Sequence, residues 1–387
     1  MDRLLNRGWT RWGLLTGWLA VWSVLNLPSR GFGWHFFVTG ARLLVDHHDL
    51  RLYSDDPALQ SGPLAFLAVA PLVALFPARV AEASGIAVMS LAGLVALRLL
   101  EGLAEPGPAR ARRVLVLGVL VLPVWAEVAV HWAHPDDVLA MLAALVALRL
   151  IRAGRWEWSA LALAAAVDSK PWALLFAPLV LLAPRHHRLR AAAVCALGVA
   201  AAWVPFWAVD PGGIPAAGRY RIAVSTASVI HLLGVRATQT PPWDRTTQLV
   251  LGVLLVGAAV LRRRWSAALL VGVCARMLLD PATKTYYDAS LVLAAAVWDL
   301  TAVSAFPLMT PAAVALVYLP AYAVPGVPDL RAALRLAYLA AAPAWVLLIR
   351  HVRRPATEAP DGSPRRTTDG PSAPGQKRAD TRRRSPG

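Results

Sequence analysis

Apolar runs of near-spanning length recur along this chain from residue 13 to residue 349. Hydrocarbon offers backbone N–H and C=O groups no partner, so such runs have to fold as helices. The polar balance agrees. Of the 387 residues, 57% are hydrophobic and 16% charged, whereas a soluble domain carries roughly a quarter charged. The expected fold class is therefore all-α integral membrane. Cys195 and Cys274 both fall inside apolar runs, where a cysteine acts as a small buried hydrophobe. The start, "MDRLLNRGWTRW", leads into apolar residues without a small-residue cleavage pattern, which predicts a retained first helix.

A net charge of +16 raises nucleic acid as a partner until its location is considered. The chain has three lysines, Lys170, Lys284 and Lys377. Its arginines gather in short connectors: 110–113, Arg152 with Arg155, 185–190, 262–264, and the segment after Arg350. Short basic loops between apolar helices mark the cytoplasmic face, so no nucleic-acid partner is expected. With these clusters inside, the helices alternate. Helix 13–27 leads out to a first outer loop, 28–62. The run 63–77 is short for a span and reads as interfacial or re-entrant. Spans at 81–99, 114–130, 137–151, 157–168, 171–183, 190–208, 246–261, 265–279, 286–300, 304–322 and 332–350 follow, with a long outer loop at 209–245. That gives about twelve transmembrane helices within residues 1–350. Both termini are cytoplasmic, in a multi-pass protein of the plasma membrane. Residues 351–387, rich in Pro, Gly, Ser, Thr and Arg, read as a disordered basic tail.

This threading gathers the acids and histidines on the outer face. A carrier would be expected to place its polar groups near the bilayer midplane; here they point to chemistry or binding at one surface. Residues 34–45 pattern as an amphipathic, partly helical segment of the first outer loop, with Trp34, Phe37, Val38, Ala41 and Val45 on one side and His35 elsewhere. Asp46, Asp49, Asp55 and Asp56 follow. They read either as a solvated loop or as a lid bringing a carboxylate to a membrane-embedded donor.

"HWAHPDDV" (131–138) brings His131, His134, Asp136 and Asp137 together. Zn²⁺ or Mn²⁺ accepts such donors, Asp136 can instead cap the following helix, and all four can serve as polar walls for a substrate. A divalent metal is thus a candidate cofactor, though no closed structural metal site is expected. "AVDSKPW" sets Asp168 and Lys170 between two short helices, as a local ion pair or as an anion site at a helix start. "CARMLLDPATKTYYD" carries Arg276 inside an apolar run, a costly placement. Either Asp280 one turn later or a lipid phosphate can compensate it, with Lys284, Tyr286 and Tyr287 at the same rim. In the long loop, "RYRIAVSTASVIHLLGV" mixes Arg219, Arg221 and His231 with apolar residues and reads as an outer interfacial helix. No nucleotide-binding loop or nucleophilic-serine pattern occurs.

The layout of "GWHFFVTGARLLVDHHDLRLYSDDPALQSGPLAFLAVAPL", "HWAHPDDVLAMLAALVALRL", "AAAVDSKPWALLFAPLVLL" and "DPATKTYYDASLVLAAAVWD" resembles actinobacterial members of the GT-C superfamily. These are polytopic glycosyltransferases, mannosyl- and arabinosyltransferase-like enzymes of the cell envelope among them. The resemblance implies a polyprenyl-phosphate sugar as donor and an extracytoplasmic glycan or lipid as acceptor, with membrane lipid as the surrounding partner. It implies inverting transfer with a first-loop carboxylate as base, drawn from Asp55, Asp56, Asp46 and Asp49. It also implies a donor phosphate held by Lys284, Arg276, Tyr286, Tyr287 and Lys170. His35, His131, His134, Asp136, Asp137, Asp168, Arg219, Arg221 and His231 would line the cleft. The family's early acid after the first helix is missing here, and its Tyr-Pro-Pro-Leu stretch reads Gln60-Ser-Gly-Pro-Leu64. A non-catalytic binder, transporter or flippase of lipid-linked intermediates, or an inactive scaffold, is the alternative.

Overall fold

The computed structural model describes residues 8–107, 109–301 and 307–348. Among them the regular structure is helical, apart from one isolated antiparallel bridge between Ala223 and Gln239. The principal helices are α1 (Gly8–Asn26), α2 (Trp34–Asp46), α3 (Pro63–Leu75), α4 (Ala78–Glu101), α5 (Arg110–Ala126), α6 (Pro135–Arg152), α7 (Trp156–Ser169), α8 (Arg185–Val209), α9 (Asp244–Leu261), α10 (Ala268–Leu279), α11 (Tyr286–Thr301) and α12 (Pro328–Leu348). Five are long and apolar enough to cross a membrane: α4, α5 with its extension to His131, α8, α9 and α12. Four further apolar helices are shorter: Pro63–Leu75, Pro171–Leu182, Trp265–Leu279 and Met309–Ala323. The tail from residue 349, including the expected disorder of 351–387, lies outside the described residues, as does the expected helix start at 304.

Helix α11 is the central strut, with every residue from Tyr286 to Leu300 buried. Its Ala294-Ala295-Ala296 run lets neighbours approach closely, and Trp298 beyond it is 1% exposed. Helix α8 is the opposite case, burying only Ala191, Cys195 and Phe206. Its exposed Leu189, Leu197 and Trp207 are side chains that stay dry only against lipid or another protein.

Local breaks follow from prolines and from local capping. Pro171 and Pro178 flank and interrupt the segment 171–182, which winds as a 3-10 helix rather than an α-helix; each proline removes a donor from the ladder. Helix α5 widens into a π-turn at Glu127–His131, four residues after Pro123. The expected helix at 219–235 is a correction. Past Arg219, the last residue of a short helix (Gly213–Arg219), only Val229–Leu232 is helical, capped by the Ser228 hydroxyl on the N–H of His231 and followed by Gly234 at φ +96°. Residues 222–224 instead pair with 238–240, Thr240 N–H donating to Ile222 O at 2.8 Å.

The connections segregate into two sets. At one end, buried Glu101 of α4 draws in Arg11 of α1 at 2.6 Å, Arg98 at 2.5 Å and Arg110 at 3.9 Å. There Arg152 donates to Leu103 O and lies 5.6 Å above the Trp265 ring. Arg262 donates to Leu347 O at 2.8 Å. At the other end Gly31 and Phe32 donate to Val130 O and His131 O, both at 2.9 Å. Gly62 donates to Ser169 O, and Ser225 to Pro281 O. Both ends of α3 belong to this second set: it starts beside Ser169, and Phe76 beyond it lines one depression with Gly31, Trp34 and Glu82. Helix α3 therefore returns to the end it left, as its length suggests.

Candidate functional site

The second end holds a buried polar cluster made by three connections. Ala133 at φ +50° ends the π-turn and Pro135 opens α6, so the chain reverses between two imidazoles. His131 turns outward, its Nδ1 2.6 Å from the Ser29 hydroxyl. His134 turns inward and stacks on Tyr286 with ring centres 4.0 Å apart. The aligned i,i+3 histidine face does not form. Asp136 does not cap from outside either: it lies within the first turn of α6, where its Oδ1 accepts the Asp137 N–H.

Lys170, between α7 and the 3-10 helix, bonds the Asp136 carboxylate and, at 3.0 Å, Asp137 Oδ2. Burial works against its charge, but the two carboxylates outweigh that and hold its pKa above the ordinary lysine value. The expected local pair with Asp168 is not formed; Asp168 faces Trp203 of α8 instead. His134 Nδ1 stands 3.3 Å from Asp136 Oδ1 and 3.6 Å from Asp137 Oδ2. These three residues bring ligand atoms within 4.8 Å of one another, close enough for a divalent ion to join them. The Lys170 ammonium already opposes both carboxylates, so a metal there would compete with it.

The loop 28–62 reaches the cluster through Ser61, whose hydroxyl donates to Asp136 Oδ2 at 2.5 Å. Gly62 makes that approach possible, since a Cβ there would lie 2.0 Å from Asp168 O. Gly33 does the same beside His134, where a Cβ would stand 2.4 Å from Nε2. Tyr53 donates to Ser61 O and stacks on Trp203.

Deeper in, Arg276 of α10 pairs with Asp280 at 3.3 Å, the one-turn partner its sequence offers. Its guanidinium lies 4.2 Å from the Tyr287 ring centre and 4.8 Å from that of Trp172. Lys284 is exposed at the rim, its ammonium 5.3 Å above Trp132. That indole is fixed by Nε1 donating to Thr285, which donates in turn to Glu127.

The structure thus brings together His134, Asp136, Asp137, Lys170, Arg276, Tyr286 and Tyr287, with Lys284 beside them. The first-loop acids lie apart, near the long outer loop. Asp46 is exposed at the end of α2, Asp49 accepts the Arg51 N–H, and Asp56 accepts the Ala58 N–H. A hydrogen bond that its protonated form donates to Asp49 raises the pKa of exposed Asp55, while the Ser54 hydroxyl lowers that of Asp210 across from it. His35 is exposed beside Phe36, Arg219 and Arg221 are exposed, and His231 contacts Arg236 at 2.6 Å.

Several participants escaped the sequence reading. Ser61 and Thr285 carry no signal of their own. Arg335 of α12, which bonds buried Asp288 at 2.8 Å, carries the same signal as Arg276, an ionisable group within a largely apolar helix. Asp244, at the start of α9, is fully buried and accepts from Gln248 at 2.7 Å. Comparison with protein families, with curated proteins and with solved structures finds no match to this chain.

Proposed function

We propose that this chain is a membrane glycosyltransferase of GT-C type. It moves a hexose or pentose from a polyprenyl phosphate to an acceptor on the outer face of the plasma membrane. The reading places twelve crossings with both termini in the cytoplasm, the shorter apolar helices crossing with the five long ones. The observation that carries it is the sorting of charge between the two ends. Arginine connectors meet around Glu101 at one end, and at the other a buried cluster of paired cations and carboxylates lies below an exposed lysine. A polyprenyl headgroup lies at such a rim while its tail stays in lipid.

In the reaction the acceptor hydroxyl oxygen attacks the anomeric carbon as the bond from that carbon to the phosphate oxygen breaks. Polyprenyl phosphate leaves with the electron pair, and the hydroxyl proton passes to a first-loop carboxylate, Asp55 or Asp56, which the loop has to carry from its resting place to the acceptor. Lys284, exposed at the rim, offsets the charge growing on the phosphate.

The test uses the full chain in lipid with radiolabelled polyprenyl-phosphate sugars, following transfer to acceptor or water. Lys284→Ala is expected to weaken donor binding by about 1.5–3 kcal/mol, the range for a hydrogen bond to a charged group. Asp55→Asn with Asp56→Asn is expected to lower turnover and spare donor affinity, because a base acts on the acceptor. Absence of transfer from every sugar in the panel would overturn the reading. Normal turnover in the double aspartate variant would remove both residues as the base.

A further inference from the structure

Four buried polar atoms around Arg276 have no hydrogen-bond partner: Arg276 Nη1, Trp172 Nε1, Asp137 Oδ1 and Asp244 Oδ1. Three belong to side chains almost wholly enclosed, Arg276 at 5% exposure, Asp137 at 1% and Asp244 at 0%. Each of these three has its other polar atom engaged. Arg276 Nη2 meets Asp280, Asp137 Oδ2 meets Lys170, and Asp244 Oδ2 accepts from Gln248. The Trp172 ring lies against the guanidinium at 4.8 Å, and the charges of Asp137 and Asp244 both interact with that of Arg276. Native interiors leave few such atoms, since each forfeits a bond it makes in water. Four next to one cation are a set that buried water or a ligand completes.

Two of the atoms donate and two accept, and this decides the ligand's chemistry. A phosphate only accepts; it would suit Arg276 and Trp172 but meet two carboxylate oxygens. A metal cation would suit the carboxylates but meet the guanidinium. A hydroxyl group does both, donating to a carboxylate while accepting from an N–H. We propose that Arg276, Trp172, Asp137 and Asp244 form a saccharide subsite that binds ring hydroxyls, distinct from the phosphate position at Lys284. As a donor-sugar pocket it rests on the glycosyltransferase reading; as a saccharide site it stands without it.

The test is calorimetric titration of the full chain in nanodiscs with farnesyl phosphate, with farnesyl phosphate carrying mannose or arabinose, and with the two methyl glycosides. Trp172→Phe keeps the ring and removes the N–H, and Asp244→Asn keeps the shape and removes the charge. At least one sugar-bearing probe is expected to bind. Each substitution should weaken it about tenfold, while farnesyl phosphate binds all three proteins alike. Glycoside binding that is lost in the variants, with no binding of either lipid phosphate, would refute the donor reading and retain the subsite. Equal loss for farnesyl phosphate and its glycosides would assign these residues to the phosphate and overturn the subsite. So would sugar binding unchanged by both substitutions, or no binding of any sugar-bearing probe.

Discussion

Lys170→Met is the sharpest probe of the buried cluster. In the folded chain one ammonium, 13% exposed, serves two carboxylates that are themselves enclosed. At the 3.0 Å separation from Asp137, Coulomb's law gives about 5.5 kcal/mol for one contact at an effective dielectric near 20. Desolvation of the lysine offsets part of this. What the variant exposes, though, is the cost of two carboxylates left facing each other, and breaking a buried pair this way costs about 3–5 kcal/mol. The pH dependence separates this cause from simple loss of packing. Lys170 has its pKa raised on folding, so its contribution is complete below the ordinary lysine value, about 10.4, and is lost only as pH rises through the folded value. The native protein should therefore show no Lys170-linked change in melting between pH 5 and pH 8. In Lys170→Met the stranded carboxylates can take up a proton, so the variant should regain stability as pH falls across that interval. Thermal unfolding in nanodiscs measures both quantities. The expected result is a melting temperature at least about 5 °C lower at pH 8, a smaller deficit at pH 5, and partial recovery in Lys170→Met/Asp137→Asn. A deficit that is the same at both pH values, or none at all, would refute the argument that the ammonium holds these carboxylates.

Arg335→Met should destabilise by a similar amount, about 3–5 kcal/mol, because it strands Asp288, which is fully buried and bonded through both oxygens; Arg335→Lys should recover part of the loss in the same melting assay. Single cysteines at Arg51 and Arg155, both exposed and at opposite ends of the bundle, should label from opposite sides of sealed vesicles with a membrane-impermeant thiol reagent. Labelling of both from one side would sink the alternation of helices and the outer-face assignment with it.

The helices were legible because hydrocarbon leaves the chain one choice: the apolar runs at 137–151, 157–168 and 246–261 reappear as α6, α7 and α9 with ends shifted by a residue or two. The short run 63–77 reappears as the thirteen-residue α3, and the contacts of Gly62 and Phe76 put both its ends at one end of the bundle. The long outer loop misled because the alternation of polar and apolar residues in 219–235 fits a surface helix as well as irregular chain. What decides between them is local chemistry, the Ser228 cap and the left-handed Gly234. Within the candidate site, sequence supplied the residues but not the pairings. Asp168 and Lys170 are two residues apart and read as partners, yet helix α7 ends between them and sends Lys170 to a carboxylate pair more than thirty positions away. That exchange has a consequence for function. Because Lys170 neutralises Asp136 and Asp137 from within, it has little charge left to give a phosphate, and the exposed Lys284 is the better placed cation for one. The orphaned Nη1 of Arg276 lies among acids that repel a phosphate, which leaves it free to hold a hydroxyl. On the proposed reading, the cations that sequence alone groups into one phosphate site divide by burial and partner into three tasks: a structural clamp, a rim charge and a donor for a neutral ligand.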